Sequence, residues 1–234
     1  MTAGARPILI GHRGAPRERP ENTLPSFLRA LEQQADGIEL DVHCTKDRVV
    51  VVHHDEIPRA TPPSGRLAGM RIDALTFDEL QGFSVRGLAL ISTLAEALAV
   101  IKGRADVFIE LKGAGIEREV VDVIRASIAP ARCAVHSFDH AQVARARALA
   151  PEIRGGILFD RPVADPAAAM RASNALDVWP SREHVSEELV RAVHDAGGRV
   201  IPWTVNDASQ AVALAALGVD GLCTDFLPAL RAAL

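Results

Sequence analysis

The sequence predicts an α/β protein in which eight parallel strands close into a (β/α)8 TIM barrel. Short β-rich runs alternate with Ala/Leu-rich helical patterns almost to the end of the chain, and there are eight such runs. Divided among eight units of one strand and one helix, the 234 residues give about 29 residues per unit. Barrels of this class usually have about 250 residues in total. A doubly wound open sheet is the rival, but no GxGxxG turn follows the first strand.

Each predicted strand is followed by a predicted helix. The strands are expected at residues 7–11, 37–42, 106–112, 133–137, 153–159, 176–180, 199–205 and 219–224. The helices are expected near 23–34, 93–102, 116–128, 140–149, 164–173, 186–196 and 207–217, with a last short helix from Phe226. Asp207 has the position of a helix N-cap, and Gly218 and the pair Gly197–Gly198 have the positions of helix ends.

One segment, residues 55–92, interrupts this alternation. It is rich in proline and glycine and is too long for a simple loop between a strand and a helix. We interpret it as an insertion after the second strand, with a hairpin arm over residues 48–53 and a turn of helix near 77–80. No linker or low-complexity tract divides the chain, so the sequence predicts a single domain over residues 1–234.

The composition excludes several classes of protein. With 48% hydrophobic residues and a net charge of −4, the chain is neither disordered as a whole nor a general nucleic-acid binder. No apolar run approaches the ~20 residues of a membrane span, and residues 1–7 lack the apolar core of a signal peptide. Three cysteines, Cys44, Cys133 and Cys223, show neither a disulfide framework nor a zinc spacing. We therefore expect a cytoplasmic protein without a stable membrane span, and its oligomeric state stays open.

Polar residues gather where the first three predicted strands end. Strand residues i and i+2 face the same way, so Glu39 and Asp41 project together, as do Glu110 and Lys112, while His12 directly follows the first strand. Barrel active sites form at this end of the strands. Three buried carboxylates would repel one another unless a cation is bound, and oxygen ligands favour Mg²⁺ or Ca²⁺ over zinc.

Further side chains around this cluster are suited to acid–base and anion chemistry. His12 and His54 suit paired acid–base catalysis near neutral pH, and Arg13 can hold an anionic oxygen. Lys112 is one of only three lysines among 26 basic residues, so a compact ammonium group is indicated at this position. His136, at the end of the fourth strand, is a weaker candidate for lining the pocket.

A series of short motifs runs along nearly the whole chain. In order these are Gly11-His12-Arg13-Gly14, Pro20-Glu21-Asn22-Thr23, Ile38-Glu39-Leu40-Asp41-Val42, Thr45-Lys46-Asp47, His54-Asp55, Thr93-Leu94-Ala95-Glu96, Glu110-Leu111-Lys112, Ser137-Phe138, Trp203-Thr204-Val205-Asn206 and Gly218-Val219-Asp220-Gly221 followed by Thr224-Asp225. The ordered set resembles the glycerophosphodiester phosphodiesterase family. That family has a barrel with an insertion after the second strand, which agrees with the interpretation above.

The resemblance implies a role for each matching position. The matches to metal ligands are Glu39, Asp41 and Glu110, the matches to the general base and acid are His12 and His54, and the phosphate-contacting positions are Arg13 and Lys112. Family spacing favours His54 over the adjacent His53 as the inward-facing histidine.

The resemblance also covers four other positions, three of which keep a structural alternative. Glu21 matches a polar active-site position that orients the metal or a histidine. Asn22 and Thr23 are expected either in the site or as caps of the first helix. Trp203 matches an aromatic wall of the substrate pocket, and its alternative is packing within the barrel.

The resemblance implies a metal-dependent enzyme that hydrolyses a small glycerophosphodiester to an alcohol and glycerol 3-phosphate, with water or the glycerol 2-hydroxyl as nucleophile. One alternative is a lysophospholipase D, which needs an apolar groove. For that groove the insertion offers Phe77, Leu80, Phe83, Leu88 and Leu90. The other alternative is a non-catalytic glycerophosphodiester-binding protein, against which the presence of both His12 and His54 argues.

Overall fold

A ring of parallel strands surrounded by helices makes up the computed structural model, which describes residues 6–59, 61–62, 65–127 and 130–234. The strands are β1 (Ile8–Gly11), β2 (Gly37–Cys44), β3 (Val50–Val52), β4 (Ser84–Val85), β5 (Ala89–Leu90), β6 (Asp106–Leu111), β7 (Cys133–Ser137), β8 (Arg154–Phe159), β9 (Asp177–Pro180), β10 (Arg199–Val200) and β11 (Gly221–Thr224). The α-helices are α1 (Leu24–Glu32), α2 (Phe77–Gln81), α3 (Leu94–Ile101), α4 (Glu117–Ser127), α5 (His140–Leu149), α6 (Pro166–Ala172), α7 (Glu187–Asp195), α8 (Ala208–Ala216) and α9 (Leu227–Ala233).

Eight of these strands form the predicted barrel. They are hydrogen-bonded in the order β10-β9-β8-β7-β6-β2-β1-β11, and neighbouring strands are parallel. The ring is completed between its two end strands, because the Asp220 amide donates to the Val200 carbonyl (2.9 Å) and the Cys223 amide donates to the Pro202 carbonyl (3.0 Å). The barrel fold predicted from the alternation of strands and helices is thus confirmed.

Side-chain caps explain where several helices begin. Thr93 accepts from the Glu96 amide while the Glu96 carboxylate accepts from the Thr93 amide, a reciprocal capping box at the start of α3. Asp207 caps α8 as expected, since its side chain accepts from the Gln210 amide (2.8 Å). Such caps satisfy backbone donors that the first helical turn leaves without partners.

The barrel interior is filled by one layer of mostly apolar side chains directed inward from the strands. Its members are Ile10, Phe108, Ala134, Leu158, Trp179, Ile201 and Cys223, all buried. The opposite faces of the strands carry residues such as Leu40 and Val107, which pack against the surrounding helices in the larger core. The interior layer therefore forms an apolar floor beneath the side chains at the carboxyl ends of the strands.

The seventh barrel strand is shorter than the sequence predicts. The regular ladder of β10 ends at Val200, whereas the prediction ran to residue 205. Pro202 has no N–H to donate to a ladder. The amide of Trp203 still donates to the Pro180 carbonyl (3.1 Å), so the chain stays beside its neighbour. Three predictions reach beyond the described residues: the last position of the helix at 116–128, residues 60, 63 and 64 of the insertion at 55–92, and the N-terminal residues 1–5.

The segment predicted as an insertion forms its own small apolar cluster beside the barrel. β3 pairs antiparallel with the end of β2, with Val52 opposite Val42, and β4 and β5 form a hairpin that the sequence analysis did not predict. The cluster contains Val51, Leu67, Ile72, Leu75, Leu80, Phe83, Val85 and Ile91.

The residues expected to form one lipid groove divide between surface and interior: Phe77, Leu88 and Leu90 line one surface cavity of about 400 Å³, whereas Leu80 and Phe83 lie inside the apolar cluster. Leu80 is fully buried and Phe83 is 2% exposed, whereas Leu88 is 75% exposed and Leu90 is 59% exposed. No helix in the described part of the chain combines the length and apolarity needed to cross a membrane.

Candidate active site

Polar side chains form a second layer directly above the apolar floor. Because side chains alternate along a strand, the residue two positions after an interior residue also faces inward. The inward-facing residues reached in this way are His12 after Ile10, Glu110 after Phe108, His136 after Ala134, Trp203 after Ile201 and Asp225 after Cys223. Within two residues along these strands, the inward-facing side chains thus change from mostly apolar to mostly ionisable.

A cavity of about 180 Å³ opens at this polar layer. Its lining residues are His12, Arg13, Glu39, His54, Glu110, Lys112, His136, Phe138, Leu158, Trp179, Trp203 and Cys223. Seven of the nine site residues predicted from the sequence are among them. The other two, Asp41 and Glu21, lie against Arg13.

The turn after β1 aims the Arg13 side chain and backbone at the acidic residues of β2. Gly14 has φ +92°, and a Cβ there would lie 2.5 Å from Ser26 Oγ, so the close approach of α1 requires glycine. Ser26 Oγ in turn donates to the Arg13 carbonyl (3.0 Å). The Arg13 amide donates to Glu39 Oε2 (3.0 Å), and its guanidinium Nε lies 3.1 Å from Asp41 Oδ2.

The register of β2 and β6 places two carboxylates side by side. Asp41 pairs directly with Glu110, and Lys112 Nζ lies 2.8 Å from Glu110 Oε1 and 3.6 Å from Asp41 Oδ1. Burial by itself raises the pKa of Asp41, but the charges of Arg13 and Lys112 outweigh it and shift that pKa downward. Burial and the adjacent Asp41 charge raise the pKa of Glu110 to about 7.

These residues fit a divalent cation. Glu39, Glu110 and His136 each offer a ligand atom, and the three atoms lie within 4.8 Å of one another. Asp41 Oδ1 is buried without a hydrogen-bond partner, as are both ring nitrogens of His136. A cation would satisfy these buried acceptors, and it would also stabilise the ionised form of the Glu110 carboxyl beside them.

His12 is oriented by a chain of hydrogen bonds from the last barrel strand. Its Nδ1 lies 2.7 Å from Asp225 Oδ1, and Asp225 Oδ2 accepts from Asn206 Nδ2 (2.7 Å). Asn206 Oδ1 accepts from the Asp225 amide (2.8 Å). Burial lowers the pKa of His12, but the Asp225 hydrogen bond and the Glu39 charge outweigh it, so the net shift is upward.

His54 reaches the cavity, whereas the adjacent His53 does not line it. His54 Nδ1 lies 2.7 Å from Asp55 Oδ1. His53 is 8% exposed, its Nε2 accepts from the Arg59 amide (3.1 Å), and burial lowers its pKa to about 4. The structure therefore places the two histidines in different surroundings, with His54 the one beside the predicted metal ligands.

Within the motif at residues 20–23, one residue caps helix α1 and two others contact residues of the site. Thr23 caps α1, because its side chain accepts from the Ser26 amide. Asn22 does not serve as the cap: it has φ +56°, its Nδ2 donates to Asp41 Oδ2 (2.7 Å), and its Oδ1 accepts from the Asp41 amide (3.2 Å). Glu21 Oε1 accepts from Arg13 Nη1 (3.0 Å), so Glu21 holds the guanidinium from the outside.

Trp203 combines both roles that its motif left open. Its indole Nε1 donates to the Trp179 carbonyl (2.9 Å), which ties the ring to the barrel. The same ring lines the cavity and meets Phe138 edge to face, with ring centroids 5.5 Å apart. The indole of Trp203 therefore forms a wall of the cavity and is fixed in place by its hydrogen bond to the barrel.

The sequence analysis assigned no role to Asp225, Asn206 or Asn22 in positioning other site residues, and it ranked His136 low. For Asp225 and His136 the i+2 rule would have provided the signal, since each lies two positions after an interior residue. For Asn22 and Asn206 the rule gives no signal, because neither lies two positions after an interior residue of the barrel.

Comparison with known proteins agrees with this architecture. The sequence model described as the glycerophosphoryl diester phosphodiesterase family matches residues 12–229. A glycerophosphodiester phosphodiesterase of Caldanaerobacter subterraneus subsp. tengcongensis is 32% identical over 228 residues, covering 93% of this chain and 93% of the relative. One from Bacillus altitudinis is 32% identical over 235 residues, covering 93% and 94%.

A solved structure shows the same fold. The phosphodiesterase of Oleispira antarctica, in complex with the product sn-glycerol-3-phosphate, superposes with a TM-score of 0.86 at 26% identity and covers 97% of this chain and 96% of its own. Together with the family match over residues 12–229, these similarities establish that the chain belongs to the glycerophosphoryl diester phosphodiesterase family.

Proposed function

We propose that this chain hydrolyses glycerophosphodiesters to an alcohol and glycerol 3-phosphate in the cavity above the barrel floor. The observation that carries the proposal is that three histidines, two basic side chains and two of the three predicted carboxylate ligands, Glu39 and Glu110, line one cavity. Relatives that match over nearly their whole length are named glycerophosphodiester phosphodiesterases, and the Oleispira relative binds sn-glycerol-3-phosphate.

Glu39, Asp41 and Glu110 would hold a divalent cation, for which Mg²⁺ and Ca²⁺ are the hard ions that carboxylates suit. When bound, such an ion supplies positive charge that stabilises the charge developing on the phosphate oxygens. Arg13 and Lys112 would bind those oxygens directly. Their side chains are already oriented by Glu21, Asp41 and Glu110, so little reorganisation is needed when the substrate binds.

The two histidines divide the proton transfers. His12 Nε2 takes a proton from the nucleophile, while the nitrogen on the other side of the ring stays hydrogen-bonded to Asp225. His54 gives a proton to the leaving alkoxide, with Asp55 holding its Nδ1. The nucleophile is water or the glycerol 2-hydroxyl. Phosphorus-31 NMR of the reaction distinguishes the two, because attack by the hydroxyl passes through a cyclic phosphate.

The position of the inserted segment next to the active-site cavity supports a role for this segment in selecting the head group of the substrate. A second cavity of about 310 Å³ shares Lys112 with the first and is lined in part by Glu56, Arg71 and Asp73 of that segment. We infer that residues 55–92 are an insertion within a single domain spanning residues 1–234, and that they contact the part of the substrate that leaves. The cytoplasmic location expected from the sequence stays a prediction.

The decisive experiment is a panel of glycerophosphodiesters with different head groups, each assayed with Mg²⁺ and with Ca²⁺ and with enzymatic detection of glycerol 3-phosphate. We expect turnover of at least one soluble diester and loss of it after chelation. Faster hydrolysis of micellar lysophosphatidylcholine than of any soluble diester would replace the proposal with a lysophospholipase D. Binding without turnover of every diester would replace it with a binding protein.

A further inference from the structure

His136 is a buried imidazole that no protein group in the described residues satisfies. Its side chain is 2% exposed, and neither ring nitrogen has a hydrogen-bond partner. The ring is held in place by Trp179, which it meets edge to face at a centroid distance of 4.5 Å. An imidazole carries at least one N–H donor and, when neutral, one acceptor, and burying both without partners costs free energy.

The ring is aimed at the acidic cluster. His136 Nε2 lies 3.7 Å from Glu39 Oε1, which is too long for a hydrogen bond and short enough for a shared ligand between them. In the ladder of β6 and β7, Glu110 pairs directly with His136, so both side chains point into the barrel at the same height. One atom each from Glu39, Glu110 and His136 falls within 4.8 Å of the others.

Asp41, by contrast, already has three protein partners. Asn22 donates to its Oδ2 at 2.7 Å, Arg13 Nε lies 3.1 Å from the same oxygen, and Lys112 Nζ is 3.6 Å from Oδ1. Only Oδ1 has no hydrogen bond. The set that faces a cation in this chain is therefore two glutamates, one aspartate oxygen and one imidazole nitrogen.

We propose that His136 is a nitrogen ligand of the divalent cation and that it makes this site prefer Mn²⁺ to Mg²⁺ and Ca²⁺. The inference rests on the divalent site of the proposed function and adds one ligand to it. It changes the all-oxygen set expected from the sequence. Ca²⁺ and Mg²⁺ take oxygen ligands almost exclusively, whereas Mn²⁺ accepts carboxylates and, standing in the transition series, gains more from an imidazole.

Electron spin echo spectroscopy of the full-length protein loaded with Mn²⁺ alone tests the ligand directly. We expect modulation from a coupled nitrogen, and labelling of histidine with ¹⁵N should change its frequency. His12 Nε2 is 4.0 Å from the other oxygen of Glu39, so it is the competing nitrogen. His136→Gln should abolish the modulation, His12→Gln should leave it, and His140→Gln, outside the cavity, is the matched control.

Calorimetric titration with each ion measures the selectivity. His136→Gln should weaken Mn²⁺ binding by about 10-fold or more, in the range seen when groups around a metal are removed, while the Ca²⁺ affinity changes far less. Wild-type protein without nitrogen modulation would overturn the inference even if the His136→Gln variant fails to fold, as would modulation that survives in a folded His136→Gln protein or disappears in His12→Gln. Neither experiment uses a diester, so absence of turnover would refute the proposed function and leave this result standing.

Discussion

Nδ1 of His12 lies 2.7 Å from Oδ1 of Asp225, although 213 positions separate the two residues in the chain. The contact exists because β1 and β11 are neighbours in the barrel, with Gly11 paired to Thr224. A carboxylate at Nδ1 keeps the proton on that nitrogen and leaves Nε2 free to accept one. The closure of the barrel therefore determines which nitrogen of His12 can act as a base.

The first prediction concerns this pair. Asp225→Asn replaces the carboxylate with an amide, whose single oxygen stays with Asn206 Nδ2 and whose NH₂ group then faces His12 Nδ1 and disfavours a proton there. We therefore expect kcat to fall by about 10²-fold, the lower end of what general acid–base catalysis contributes, with little change in KM. Steady-state kinetics on a soluble glycerophosphodiester measures it. Asp220→Asn, which alters the His194–Asp220 pair at 2.9 Å outside the cavity, is the control. Equal losses of kcat in both variants would refute a specific role for Asp225.

The second prediction separates the two histidines by the leaving group. A choline alkoxide needs a proton in the transition state, whereas a nitrophenolate needs almost none. His54→Ala should therefore lose about 10²–10⁴-fold in kcat/KM on glycerophosphocholine and far less on a nitrophenyl phosphodiester. His12→Ala should slow both substrates by similar factors. The reverse pattern would exchange the two roles. His53→Gln is the matched control and should stay near the wild-type rate, because His53 does not line the cavity.

The third prediction concerns the cation and the charges it offsets. At a concentration 100 times the dissociation constant, a bound ion stabilises the fold by about 2.7 kcal/mol. For a chain of this size that corresponds to a rise in Tm of roughly 5–10 °C. Glu110→Gln should lose this rise, and turnover with it, because it removes a ligand. Calorimetric melting with and without Mg²⁺, and assays after exhaustive chelation, check it. An undiminished shift in Glu110→Gln would show that the ion binds elsewhere.

A fourth prediction separates two leucines of the inserted segment. Leu80 is fully buried in its apolar cluster and Leu88 is 75% exposed. Leu80→Ala should lower the free energy of unfolding by about 2–5 kcal/mol, since it leaves a cavity. Leu88→Ala should change it by less than about 0.5 kcal/mol. Urea unfolding monitored by circular dichroism gives both values. Similar losses for the two would mean that Leu88 is covered in solution.

The fifth prediction concerns thiol reactivity. Burial raises the pKa of Cys133 to about 12, and its side chain is 0% exposed. At pH 8 only about one thiol in 10⁴ would then be ionised, and thiolate is the reactive form. Iodoacetamide should leave Cys133 unmodified in the folded protein and modify it fully in urea, as mass spectrometry of the peptide would show. Rapid labelling of the native protein would contradict this placement.

Much of the site was predictable because strand periodicity is local. The i, i+2 alternation along β2 and β6 places Glu39 with Asp41 and Glu110 with Lys112, and the carboxyl ends of parallel strands meet at one face. The eight strand–helix pairs likewise determine the barrel, because the helices must cover the outer faces of a parallel sheet. These inferences need only the order of residues along one strand and the direction of its neighbours.

Only the tertiary structure determined the contacts between distant segments of the chain and the different burial of similar residues. The His12–Asp225 pair depends on the ring closing, and the Asn22–Asp41 pair depends on a left-handed turn at Asn22, φ +56°. Burial separates Leu80 from Leu88, although the sequence analysis placed both in one groove. Periodicity specifies the direction of a side chain from its own strand, but the partner it meets depends on register, closure and packing against the rest of the chain.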